Sequence, residues 1–457
     1  MRRTVRETLL SARELFVTGL PFILLVVALL AAAYFALKPN PPRKVVLVTG
    51  SEQGAYAAFG KRYQEELKRH GIEVELRNSA GSRENLRLLR DGKKEVHIAF
   101  VQGGASESSR ERQPSEKSEE ELLPLMSLGS VFYEPVWIFY RAAAAKKSRD
   151  GVLNEFADFK GMKVNTGPRG SGIPGITNRL LQANLMERDD IVRSDLESTP
   201  AAVALLNSSI DAMILVSAPE APLVQMLLQT PGIRLFEFAQ AEAYTRRFRF
   251  LSTVTLARGV VDLSRNVPQR DVPMVAATCS LVAREDLHPA LVQLFVQAAT
   301  RIHSGGGWIS RPGQFPTPQN TEFPMARDAE RFYRTGPPLL QRYLPFWLAN
   351  LVDRMWVALL SILVVLLPLA RVLPPLYTFR IRSRVFRWYR DLRQIEDEIA
   401  RSDADKAALL ERLDKLDARA ERVMIPLAYT DELYALRNAI SMVRRRLHGP
   451  EPVKPSG

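Results

Sequence analysis

Two apolar stretches constrain this chain more than any other feature. Leu15 to Leu37 is a run of 23 residues without a charge, and Met355 to Ala370 is a run of 16, bounded by Arg354 and Arg371. Roughly 20 apolar residues carry a helix across a bilayer core, so the first run predicts a span with residues to spare. The second is short; it reaches if Arg354 snorkels outward and Trp347 and Trp356 lie at an interface, and its alternative is a buried core helix. The first run exceeds the roughly 7 to 15 residues of a signal-peptide core and continues past Ala31-Ala-Ala33, which favours an uncleaved anchor. Arg2, Arg3, Arg6 and Arg13 precede the first run, and seven arginines from Arg371 to Arg393 follow the second. Positive charge marks cytoplasmic flanks, so both termini are expected in the cytoplasm and the segment between the runs outside it. In a bacterium that is a two-pass protein of the inner membrane with a periplasmic domain.

The formal charge of +13 raises the question of nucleic acid, but much of the excess lies in the juxtamembrane arginines, where anionic lipid near Arg371–Arg393 is the expected partner. Nucleic acid is not expected. A single cysteine, Cys279, permits no intrachain disulfide, and its apolar surroundings suggest burial instead of nucleophilic work. His70, His97, His288, His303 and His448 are scattered without metal-ligand spacing, so no metal and no cofactor is expected. Neither G-x-S-x-G nor H-E-x-x-H occurs, and the chain reads as a binding protein, not an enzyme.

After Pro39-Asn-Pro-Pro42 the run Val45–Val48 predicts a buried strand that ends at Gly50-Ser51. Phe59, Tyr63 and Leu67 at four-residue spacing predict a helix over 56–69, followed by a strand at 73–76, a helix over 83–91 and a strand at 96–101. Ala105 to Glu121 is a charged, solvated loop. Val131–Tyr140 predicts a long strand placed to cross between lobes. A second alternating unit follows: strand 162–165, helix 176–186, helix 201–206 and strand 210–216. The chain then returns through a strand at 274–282 and a helix over 288–303. Alternation of this kind predicts an α/β fold with parallel βαβ units, here a two-lobed, periplasmic-binding-protein-like domain. Ligands of such sheets bind beyond the carboxyl ends of the strands, where the small-residue clusters at 50–56, 78–85 and 166–172 fall. Glycine and serine there let backbone amides approach an anionic group. Arg83 and Arg169 are candidates for a bidentate grip on a carboxylate, with surface ion pairs as the alternative.

The ordered set G50-S-E-Q-G-A-Y-A-A-F-G60, S79-A-G-S-R-E-N-L-R-L-L89 with Gly92, Val101-Gln102, F159-K-G-M-K-V-N-T-G-P-R-G-S-G172 and Ile210-Asp-Ala212 resembles the TAXI-type solute receptors of TRAP transporters. The segment Val272–Val282 fits that family's later strand more loosely, and the resemblance covers about Val45 to Ser304. It implies a clam-like receptor that hands a small organic anion, of glutamate, 2-oxo acid or dicarboxylate type, to TRAP-type permease subunits. Carried over by motif, ligand contacts fall on Ser51, Gly54, Ala55, Tyr56, Gly81, Ser82, Asn85, Gln102, Gly170 and Ser171. The chain departs from the family pattern at Ala57, where a second aromatic is usual, at Asn78, where threonine is usual, and in its two apolar flanks.

In the tail, Ile395, Ile399, Leu409, Leu413, Leu416, Ala420 and Val423 follow the spacing of a coiled-coil seam that Pro426 ends, and Leu433, Leu436, Ile440, Val443 and Leu447 resume it. A helical hairpin is expected. The predicted organisation is thus a cytoplasmic start (1–14), a span (15–37), a linker (38–43) and a two-lobed domain (44–345). Within that domain lobe 1 takes about 44–140 and 255–310, and lobe 2 about 150–250. A second span region (346–373) and an α-helical tail (374–457) follow. The functional expectation is a membrane-anchored solute receptor. Its alternative is a ligand sensor that signals through the second span and tail to a partner.

Overall fold

The computed structural model describes residues 20–36, 40–91, 95–106, 123–147, 151–337, 340, 343–344, 346–399, 405–422 and 430–448. The expected cytoplasmic start, the first residues of the first apolar run, most of the charged loop at 105–121, and Val423 and Pro426 lie outside them. The chain divides into two units, Asn40–Asn350 and the remainder.

In the remainder, α1 covers 20–36. Helix α10 (Phe346–Ile399) begins at the end of the other unit and runs into the tail, where α11 (Lys406–Arg422) and α12 (Thr430–His448) follow. Among the described residues no helix is long and apolar enough to cross a membrane. The seam positions do pack: Leu392 and Ile395 join Leu409, Leu413, Leu416, Leu436, Ile440 and Val443 in one buried cluster. The ion pairs Asp414–Arg444 (2.6 Å) and Asp417–Arg437 (3.7 Å) set α11 and α12 antiparallel.

The 40–350 unit is a ten-stranded sheet in the order β2-β1-β3-β10-β4-β7-β5-β6, with β8 beside β4 and β9 beside β10. In lobe 1, β1 (Lys44–Val48) pairs in parallel with β2 (Glu73–Arg77) and β3 (Ile98–Gln102). Every residue of Val45–Val48 is buried because the strand is covered on both faces. Val45 and Leu47 pack with α2 (Ala55–Lys68) and α8 (Pro289–His303), and Val46 and Val48 with α3 (Ser82–Arg90). In lobe 2, β5 (Lys163–Asn165) lies parallel to β6 (Val192–Ser194) and β7 (Ala212–Val216), flanked by α4 (Ile173–Ala183), α5 (Ser198–Leu206) and α6 (Pro222–Gln229). Sequence reasoning did not resolve β6, α6, β8 (Ile233–Leu235), α7 (Ala241–Arg247), β9 (Leu251–Leu256) or α9 (Arg327–Thr335).

Two long antiparallel strands join the lobes. β4 (Leu125–Arg141) runs 17 residues where ten were expected: its first part pairs with β10, and Val136–Tyr140 pairs with β7. β10 (Val272–Arg284) does the reverse, pairing with β9 through Ala277 and with β3 from Cys279. The exchange happens at Glu134 and Ala277, which face each other in the ladder. The result is a two-lobed α/β domain of the periplasmic-binding-protein kind, with two strands passing between the lobes.

Candidate functional site

The small-residue clusters meet at this crossing. Gly81 precedes α3 with φ +129°, a conformation that glycine alone adopts without strain, and a Cβ there would lie 3.0 Å from the Cα of Ser171 in the other lobe. A Cβ on Gly170 would lie 2.5 Å from that of Ala80, and one on Gly172 would lie inside the Gln102 side-chain amide. Glycine therefore permits the lobes to touch. The Glu84 amide donates to the Gly170 carbonyl at 3.2 Å, and the Thr199 hydroxyl to Gln53 Oε1 at 2.7 Å, both across the junction.

Beneath these loops lies a buried polar chain. Tyr56, stacked on Phe100 with ring centroids 5.2 Å apart, donates from its hydroxyl to Glu134 Oε2 at 2.8 Å and sits 3.0 Å from Ser82 Oγ. The Ser82 oxygen accepts from the backbone N–H of Gln102 at 3.0 Å. The Gln102 side-chain nitrogen is buried and has no partner among the described residues. Glu134 is 2% exposed, and burial pushes its carboxyl up to about 8, against a lowering by the Tyr56 hydrogen bond. Burial also raises the Tyr56 phenol and the Cys279 thiol, so all three groups are neutral near pH 7.

The structure sorts the expected ligand residues. Tyr56, Ser82, Gln102, Gly81, Gly170 and Ser171 come together at the junction, with the Ser171 hydroxyl donating to the Pro168 carbonyl at 2.7 Å. Gly54 and Ala55 start α2 half-buried, and Ser51 is exposed in the loop before them. Asn85 lies deeper, between two strands. It is fully buried, donates to the carbonyls of Thr49 (2.6 Å) and Phe100 (2.8 Å), and accepts from Ser79 Oγ (2.5 Å). Its amide ties the ends of β1 and β3 together and has no donor left for a ligand. The Arg169 side chain is 94% exposed and lies 3.8 Å from Asp195, the surface ion pair given above as its alternative. Arg83 is half-buried and makes no ion pair among the described residues, so no arginine clamp is assembled in this structure. Glu134 was missed, because a lone acid in an aromatic strand carries no local signal. No group of metal-ligating residues occurs among the described residues.

Two α/β lobes, exchanged strands and glycine-rich loops meeting at the exchange define a periplasmic-binding-protein-like domain. Residues 47–300, more than half of the 457, match the model of the NMT1-like family, and the chain belongs to that family. Among solved structures it is similar to the periplasmic aliphatic sulphonate binding protein SsuA from Escherichia coli (14% identity, 70% of this chain and 83% of that chain, TM-score 0.36). It is also similar to the alkanesulfonate-binding protein SsuA from Xanthomonas axonopodis pv. citri bound to MOPS (13%, 58% and 74%, TM-score 0.37). A third similar structure is MatC from Rhodopseudomonas palustris with bound malate (15%, 70% and 98%, TM-score 0.38). No curated protein matches the sequence.

Proposed function

We propose that this chain is a membrane-anchored extracytoplasmic receptor that binds a small organic anion between its lobes and delivers it to a TRAP-type secondary transporter. The observation that carries the reading is the junction itself. Glycine-rich loops from both lobes converge on a buried side-chain amide, Gln102, whose donor has no acceptor among the described residues. Such donors are rare in native folds and call for a partner. The ordered TAXI-type motifs supply the transporter class. The proposed solutes are glutamate, 2-oxo acids and dicarboxylates, and the role is binding, not catalysis.

The anchor rests on exposed apolar surface. Leu24, Val27 and Phe35 of α1, and Val357, Leu360, Val364 and Leu367 of α10, are each more than half exposed. A helix apolar on all sides needs lipid or other helices around it. We place both termini in the cytoplasm of a bacterium, the domain in the periplasm and anionic lipid beside Arg371–Arg393. The packed cluster of α10, α11 and α12 favours a second reading, in which the tail relays ligand binding to a partner protein.

Thermal unfolding of the purified chain against amino acids, 2-oxo acids, dicarboxylates and short fatty acids tests the receptor. A ligand at 100 times its Kd adds roughly 2.7 kcal/mol, a readily measured shift. A folded protein that responds to none of these classes refutes the solute-receptor reading.

A further inference from the structure

Glu134 occupies the point where β4 leaves one lobe for the other. Partners across an antiparallel ladder point to the same face. Glu134 faces Ala277, while Cys279, two residues along β10, faces Gln102 of β3 and Phe132 of β4, so Glu134, Cys279 and Gln102 share one face of the sheet. The titratable groups against Glu134 are Tyr56 from α2 and Cys279 from β10; the uncharged Ser82 of α3 joins them through Tyr56. Among the described residues no lysine, arginine or histidine pairs with it.

A buried acid with no cation is stable only as the neutral form. Tyr56 donates to one carboxyl oxygen, leaving the other to carry the proton. On the same face, across β10, stands the side-chain amide of Gln102, which has no acceptor among the described residues, and the amides that begin α3 and α4 add positive potential at the junction. An ionised Glu134 would repel an anion here, whereas a neutral one is a further donor. An ammonium group on an ionised Glu134 would sit against both helix starts.

We propose, building on the solute-receptor reading, that Glu134 meets the ligand as the neutral acid and donates a hydrogen bond to its carboxylate, on the face of the sheet it shares with the Gln102 side-chain amide. The receptor then holds one proton with each bound anion, and Glu134 determines specificity for ligands that accept hydrogen bonds. The proton stays on Glu134 throughout. Binding weakens in alkaline medium because the competent protonated form becomes scarce.

The test is calorimetric titration of the full chain in detergent with L-glutamate, 2-oxoglutarate and succinate from pH 7 to pH 9, a range in which their carboxylates stay essentially ionised. For whichever compound binds, the expected Kd is about tenfold weaker at pH 9 than at pH 7, following an acid that titrates near 8. Glu134→Gln, which keeps a donor and cannot ionise, should bind with an affinity that does not vary over that range. A wild-type affinity that is flat with pH, or that strengthens toward pH 9, overturns this proposal alone. A folded chain that binds none of the three, at any pH, while responding to another class in the thermal panel overturns the carboxylate role of Glu134 and leaves the receptor standing. Silence toward every class removes both.

Discussion

Replacing Gly170 with alanine isolates the contact between the lobes. The added methyl carbon would lie 2.5 Å from Ala80 Cβ, where carbon atoms normally rest about 3.5 to 4.0 Å apart, so the loops must separate by an ångström or more. Ala80 Cβ is fixed to backbone and cannot swing aside. That separation breaks the Glu84 N–H to Gly170 carbonyl bond of 3.2 Å and strains the Thr199 to Gln53 bond of 2.7 Å. At about 0.5 to 1.5 kcal/mol net for each hydrogen bond, the closed arrangement loses about 1 to 3 kcal/mol. Ligand affinity should fall roughly 5- to 150-fold, at about 1.4 kcal/mol for each factor of ten. Neither Gly170 nor Ala80 belongs to a lobe core, so the unfolding temperature without ligand should stay within about 2 °C of wild type. Calorimetric titration with a ligand found by the thermal panel gives the affinity, and spin labels on the two lobes give their separation. Wild-type affinity together with an unchanged distance distribution would refute the claim that these glycines exist to let the lobes meet.

Three further outcomes follow from the same contacts. Asn85→Ala strands the buried Thr49 and Phe100 carbonyls and should lower domain stability by about 2 to 4 kcal/mol in urea unfolding; a loss of ligand binding at unchanged stability would restore Asn85 to the ligand shell. Glu134 titrates near 8 when folded against an ordinary 4.5, so the folded form binds the extra proton between those values. The contribution of Glu134 to stability is therefore full below pH 4.5 and is lost as pH rises through 8, by about 5 kcal/mol at about 1.4 kcal/mol per pH unit; Glu134→Gln should flatten that part of the stability profile, which denaturant unfolding at several pH values reads. Leu413→Ala, at a fully buried tail position, should cost the tail cluster about 2 to 4 kcal/mol and expose the tail to limited proteolysis while the 40–350 unit stays resistant.

What the sequence could show depended on how local each signal was. Val45–Val48 reads as a strand because four consecutive buried aliphatics need no distant partner to be recognised, and it pairs on both sides as a central strand should. The clusters around Gly81 and Gly170 are legible for the same reason, since a glycine with φ +129° beside a helix start is a local demand on the backbone. The roles inside the clusters are not local. Asn85 looks like a loop-facing polar residue in one dimension and becomes a tie only because β3 brings the Phe100 carbonyl to its amide. Arg169 looked like an anion grip because of its neighbours, but the loop turns its side chain outward. The short strands β6 and β8 have three residues each, too few to show a period.

Glu134 is the sharpest case, and it also bears on how an anion would be held. Its partner Tyr56 lies 78 residues away, and its neighbour across the ladder, Ala277, lies on the far side of lobe 2 in sequence. The chain carries a formal charge of +13, yet none of the cationic side chains forms an ion pair with this buried network among the described residues. Long-range attraction from the basic surface can raise the rate of encounter, but it is screened within about 8 Å at physiological salt and selects no particular anion. In the receptor proposed above, selection rests on short-range donors that water cannot replace: the Gln102 side-chain amide, the loop amides before α3 and α4, and a carboxyl that burial keeps protonated. A site built from neutral donors rejects a ligand lacking an acceptor at the right place, because the buried donor then stays unpaired at a cost of about 1 to 3 kcal/mol. On the proposed reading, discrimination among carboxylates is the work of the crossing strands and not of the arginines that dominate the composition.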